Sequence, residues 1–335
     1  MITLEHDRLV FRFPEVHDEA TCSLHFQRTL RIPDDGRDYP LPPGLGVFPL
    51  RHLDDYTHRL PEKWLARGGV IMPMHQAEAM WISFDNRGWD EGYPFAVKIA
   101  TGKVNAITGE SWDKHLNQDP QDYTVIPKQP WIDGYCVEKG VIRQFIAMPL
   151  GEGYSAEEQI TGAAEHGGLQ IIAYPMKAER YNALTRKHRQ ERFMDMEVCA
   201  SLSEDSAMGL APGGRMQQEI YEDPYGLDAW DQRHSSRCFV TIANSKAWMA
   251  ITAQQPPTTP PTASDYTRAG LPWFDYYGGD AEAVAGAEEL ANLSSVKETG
   301  AKLGCPHVSG NESLSIRNVA RLGESRSNKV REMPV

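Results

Sequence analysis

Prolines and glycines, 23 and 28 of them, are spread along the whole of this 335-residue chain and break it into short segments. Proline fixes φ and removes a backbone donor, and glycine loosens the backbone, so such punctuation favours strands and loops over long helices. Between the breaks lie runs of β-branched and aromatic residues. Those at 9–13, 22–26, 70–74, 79–84, 95–107, 123–126, 141–148 and 169–174 read as eight candidate strands. In "FAVKIATGKVNAITGE" the pair Thr101-Gly102 separates two alternating runs, the spacing of a hairpin. The expected fold is mainly β (α+β overall), a sandwich or barrel-like body with a few helices.

The order of segments suggests three parts. Residues 1–175 form a β-rich domain, and residues 176–252 supply a helix and further strands that complete the body. Residues 253–335 form a Pro-rich C-terminal arm. The stretch 176–199, "MKAERYNALTRKHRQERFMDMEVC", is rich in helix formers and is the longest helix expected. In the arm, "QQPPTTPPTASDY" packs four prolines into 256–261 and reads as an extended strap. After it come Trp273, Phe274, Tyr276 and Tyr277, an aromatic group suited to anchoring the strap. An alanine-rich helix is expected over about 280–293, followed by a polar tail.

Charge and cysteine usage narrow the function. A formal net charge of −12, with no basic block interleaved with aromatics, disfavours nucleic acid as a partner. The five cysteines are odd in number and widely spaced, without a Cys-x-x-Cys, which points to reduced thiols rather than a zinc knuckle or a disulfide framework. The start "MITLEHDRLVFRF" lacks the pattern of a signal peptide, and there is no run of about eighteen apolar residues to span a membrane. A soluble, cytoplasmic protein is expected.

Four constellations could carry chemistry. Gly151, Gly153 and Ala156 in "PLGEGYSAEEQITG" spell the glycine pattern of a dinucleotide site. The helix that should follow is cut short at Gly162, no acid closes the next strand, and Glu152, Glu157 and Glu158 stand where an anion would bind. Ser155 and Glu158 instead have the spacing of a capping box, so no nucleotide cofactor is assigned. Secondly, "RHLDDYTHRL" holds His52, Asp54, Asp55 and His58, which are metal-ligand types. Their spacing does not put His52 and His58 on one helix face, so His52, Asp55 and His58 are weak candidates and a solvated turn is the commoner role.

Thirdly, Cys136 lies in "IDGYCVEKG" near Asp133 and Glu138, and His166 sits in a later glycine-rich turn. A Cys136 and His166 pair with Asp133 would suit a hydrolase if those strand ends meet, although a small buried Cys in a strand is the usual situation. Finally, eight tryptophans and thirteen tyrosines offer stacking surfaces. Trp81, Trp89, Trp112 and Trp131 stand near Asp85, Asn86, Asp90 and Asp133. Aromatic surface beside acceptors is what carbohydrate recognition requires, while the competing role of such rings is to fill a sandwich core. Trp81, Trp89 and Trp131, with Trp273, Tyr276 and Tyr277, form the candidate binding set.

The phrases "GKVNAITGE", "DPQDYTVIPKQPWIDG", "IRQFIAMPLGEGYSAEEQITG", "HGGLQI" and "GLPWFDYY" resemble segments of a family of uncharacterised bacterial and fungal proteins. The resemblance runs over most of the chain and implies no activity, cofactor or catalytic residue. Some members bear the label "integral membrane protein", which the apolar content of this chain does not support. The function expected from these residues is non-enzymatic: binding of a protein or carbohydrate partner, or self-assembly into a homo-oligomer through the arm. The alternative is the hydrolase at Asp133, Cys136 and His166.

Overall fold

The structure is a computed structural model that describes residues 1–85, 92–188, 208–276, 282–305 and 310–322. Among the described residues, hydrogen bonds link seventeen strands into one network. It divides into two sheets that meet where Met208 pairs with Ile242. One sheet orders Ile2–Glu5, Arg8–Arg12, Thr21–Thr29, Ala79–Asp85, Val141–Pro149 and Met208–Gln217, each antiparallel to the next. The other orders Arg51–His52, Val70–Pro73, Ser236–Ala243, Leu169–Pro175 and Phe95–Thr101. Val104–Asn105 and Thr124–Ile126 both pair with its last strand. The architecture is mainly β, sandwich-like and not a closed barrel.

Alternation along the strands sets the two faces of the first sheet. In "TCSLHFQRT" the even positions Cys22, Leu24, Phe26 and Arg28 are buried, and the register sets Leu24 against Phe84, Phe26 against Ile82 and Arg28 against Met80. Side chains of a strand point alternately to opposite faces, so Ser23, His25 and Gln27 must lie on the other face, with Trp81 and Ser83 of the neighbouring strand. In the second sheet, Phe95–Thr101 and Leu169–Pro175 are buried at every position, as their nearly unbroken apolar runs require.

The glycine loop closes on itself. The helix Ala156–Thr161 begins with a capping box in which the Ser155 hydroxyl accepts from the Glu158 amide. The Glu158 carboxylate accepts from Gly151 N–H and Gly153 N–H, both at 2.8 Å, and from the amide and hydroxyl of Ser155 at 3.1 and 2.6 Å. An internal carboxylate thus takes the donors that a phosphate would need. Glu158→Ala should lower unfolding stability by about 1–3 kcal/mol in urea titration, from the loss of a cap and of charge-assisted bonds. Glu158→Gln, which keeps one acceptor oxygen, should lose less, and an equal loss from both would refute the clamp.

Three expected elements differ. The long helix is observed as Ala178–His188, and residues 189–199 of the expected span lie outside the described residues. The alanine-rich helix is reduced to Glu288–Ala291. Tertiary docking overrides helix propensity upstream of it: Val284 N–H donates to the Ile220 carbonyl and Ala287 N–H to the Cys136 carbonyl. Gly286 crosses so close to the Val137–Glu138 backbone that an added Cβ would lie 2.1 Å from the Glu138 nitrogen. The polar tail also has structure, since Val319–Leu322 pairs in parallel with Trp273–Tyr276.

The arm lies against its own body. Arg51 donates to the Gln254 side chain, and Arg28 Nη2 donates to the Thr258 carbonyl at 3.0 Å. Trp273 is fully buried beside Tyr39 and Tyr266, and Phe274 exchanges backbone hydrogen bonds with Leu41.

Candidate functional site

The outward face of the first sheet collects three of the expected binding residues. Trp131 pairs with Ser83, and Trp81 stands two residues from Ser83 on the same strand, so both indoles belong to one face. Tyr276, brought in by the arm, meets Trp131 edge to face with ring centroids 4.8 Å apart. Trp81, Trp131 and Tyr276 are all partly exposed. The arm therefore completes the aromatic face rather than leaving it.

Polar groups stand directly beside these rings. His25 pairs across the sheet with Ser83, and Gln27 pairs with Trp81. Gln27 is 4 % exposed, and its Oε1 is buried without a hydrogen-bond partner among the described residues. The Nδ1 atom of His25 is in the same condition. Burial, followed by the charge of Arg8, lowers the His25 pKa to about 4. At neutral pH the ring is uncharged, with one nitrogen donating and the other accepting. Gly44 closes the far side: a Cβ there would lie 2.5 Å from Gln27 Nε2 and 3.2 Å from Trp81 Cη2. A larger residue there would have to push the Gln27 amide aside.

Buried polar atoms are ordinarily paired, and leaving one unpaired costs about 1–3 kcal/mol. Two such atoms lie beneath partly exposed indoles, and a hydroxyl group would reach them once the side chains over them shift, with the ring faces covering an apolar surface. His25, Gln27 and Ser83 were not among the residues singled out from sequence. The strict alternation of "CSLHFQR" could have shown that His25 and Gln27 share a face. Their pairing with Trp81 and Ser83 depends on a register between segments more than fifty residues apart, which the alternation does not give.

The other expected binding residues lie elsewhere. Trp273 is inside the arm's own packing, its indole N–H donating to Thr267 Oγ1 at 3.1 Å. Trp112 sits at the buried Lys98–Asp122 ion pair, with the Lys98 ammonium 5.7 Å from its ring centroid. Trp89, Asn86, Asp90 and Tyr277 lie outside the described residues.

The hydrolase set is not joined. Cys136 and Tyr135 are successive strand residues and point to opposite faces. The Tyr135 hydroxyl reaches Thr101 and the Leu210 carbonyl, whereas Cys136 Sγ lies 4.0 Å from the Ala285 carbonyl. Burial alone pushes the Cys136 thiol up to about 12, with no base contributing. His166 sits instead beside Glu157, with Nδ1 3.2 Å from Oε1, and stacks on Phe239. Burial lowers its pKa, assisted by Arg67. Glu157 in turn accepts from the His166 and Gly167 amides, so it serves the turn. Asp133 is buried and bonded to Gln218, its carboxyl pushed up to about 8 by burial.

His52, Asp55 and His58 are all exposed, on or beside the 3-10 segment Leu53–Arg59. No group of three or more His, Cys, Asp or Glu among the described residues is arranged to hold a metal ion. No described helix is long and apolar enough to cross a membrane.

Fold and site together define a β-sandwich protein whose outward sheet face carries an aromatic and amide surface. No protein-family model, curated protein or solved structure matches the chain.

Proposed function

We propose that this chain is a non-enzymatic binding protein that takes a carbohydrate on the face formed by Trp81, Trp131 and Tyr276. The observation that carries the reading is the pair of buried atoms, Gln27 Oε1 and His25 Nδ1, which have no hydrogen-bond partner among the described residues and lie on the same face as the two indoles. Sugar rings present C–H faces that cover indole and hydroxyl edges that satisfy amide and imidazole. The arm's packing on its own body, which brings Tyr276 against Trp131, supports ligand binding at the aromatic face. Ligand binding is favoured over hydrolysis because burial pushes the Cys136 thiol up and no base among the described residues offsets it.

The test is titration calorimetry of the full chain against gluco-, chito-, malto- and manno-oligosaccharides. At least one series should bind saturably, and Trp81→Ala or Gln27→Leu should weaken it by at least about tenfold, the loss of roughly one good polar or stacking contact. Trp112→Ala, at the Lys98–Asp122 pair, should leave the affinity unchanged. No binding by any series, or affinity indifferent to Trp81, would sink the proposal.

A further inference from the structure

A second feature of the arm points to a different ligand. Between the helix Ala263–Arg268 and the segment 313–318 lies a cleft of about 430 Å³, within the size range of small-molecule sites. Trp273, itself buried, is among its lining residues, as are the apolar Leu271, Leu314 and Ile316. Two arginines, Arg268 and Arg317, are among its lining residues, together with Ser264, Thr267 and Ser313. Among the described residues that line it there is no Asp or Glu, although the chain carries a net charge of −12. Arginine is the side chain best suited to planar anions because its donors form a rigid fork.

The walls are held in place before any ligand arrives. Trp273 N–H donates to the Asn318 carbonyl at 2.9 Å, and the Asn318 amide donates back to the Gly270 carbonyl at 2.9 Å. Leu314 N–H donates to the Tyr39 hydroxyl, and Ser313 Oγ donates to Asp35. Arg268 shares its charge with Asp265 at 3.0 Å on the exposed surface. Arg317 has no ion-pair or hydrogen-bond partner among the described residues, and Glu312 stands outside the lining. Leu271 remains 46 % exposed at the rim, an apolar side chain that a ligand's tail would cover.

We infer that this cleft binds an amphipathic organic anion. Its carboxylate would engage Arg268 and Arg317, and its hydrocarbon part would lie on Leu271, Leu314 and Ile316 above Trp273. This site is independent of the carbohydrate face and stands or falls without it.

Octanoate, octan-1-ol and acetate separate the contributions of charge and tail in calorimetric titrations of the full chain. Octanoate should bind saturably at one site, with acetate and octan-1-ol each at least about tenfold weaker, since each forfeits one half of the recognition. The double variant Arg268→Gln, Arg317→Gln should lose at least about tenfold in octanoate affinity while keeping the wild-type thermal midpoint. Leu271→Glu, at an exposed position, gives a second variant that should show the same loss through repulsion. Absence of octanoate binding, equal binding of the alcohol, or octanoate affinity unchanged in these variants would overturn the inference.

Discussion

Arg28→Ala should destabilise the protein by about 3–5 kcal/mol, read as a lower urea midpoint at unchanged slope. Arg28 is 1 % exposed and Glu78 2 %, so neither charge is solvated. Arg28 Nε donates to Glu78 Oε1 at 2.6 Å, and Glu78 Oε2 accepts from the His75 amide at 2.8 Å. Burial pushes the Glu78 carboxyl up to about 7 even against the opposing pull of Arg28. Truncating the arginine therefore leaves a buried acid with no counter-ion, which is where most of the loss arises. Arg28 also holds the strap through the Thr258 carbonyl, so proteolysis within 254–262 should accelerate in the variant. The double variant Arg28→Met, Glu78→Leu removes both charges together and should recover most of the stability. If the single and double variants are equally unstable, the loss reflects packing rather than the orphaned charge.

This pair also marks the limit of what the sequence discloses. The β-rich architecture was legible because it depends on local punctuation: the runs "TCSLHFQRT", "FAVKIAT" and "LQIIAYP" carry their strand character within themselves. The capping box at Ser155 and Glu158 was legible for the same reason, its partners lying three residues apart. Arg28 and Glu78 are fifty residues apart, and Lys98 and Asp122 twenty-four. Each ion pair exists because the register of the sheets or the path of a loop brings its members together, and no local pattern encodes that meeting. The binding face is intermediate. Trp81 and Trp131 were visible as aromatics near polar residues, but the register pairs Trp81 with Gln27 and Trp131 with Ser83, which itself faces His25. The alanine-rich segment erred the other way, since its composition favours helix until Gly286 and Val284 are docked against the body.

Asp133 should make stability fall with rising pH, and Asp133→Asn should remove that dependence. The side chain is 1 % exposed, its carboxyl accepts from the neutral Gln218 amide at 2.7 Å, and no cation among the described residues offsets its burial. Burial consequently raises the carboxyl from an ordinary value of 3.8 to about 8. The folded state keeps a proton that the unfolded chain releases, so the contribution to stability is fully present below pH 3.8 and is lost as pH rises through about 8. Across that window the slope from this group is at most about −1.4 kcal/mol per pH unit. Asparagine cannot ionise, and its carbonyl can still accept from Gln218 Nε2. In urea unfolding the variant should match wild type within about 1 kcal/mol at pH 5. At pH 9 it should be the more stable protein by on the order of 2–4 kcal/mol, the integral of that slope after relaxation around the charge. The comparison is made between two proteins at one pH, so every other titrating group cancels. A variant less stable than wild type at pH 9 would mean that the carboxylate is ionised and held by donors, which would restore Asp133 as a charged participant in chemistry.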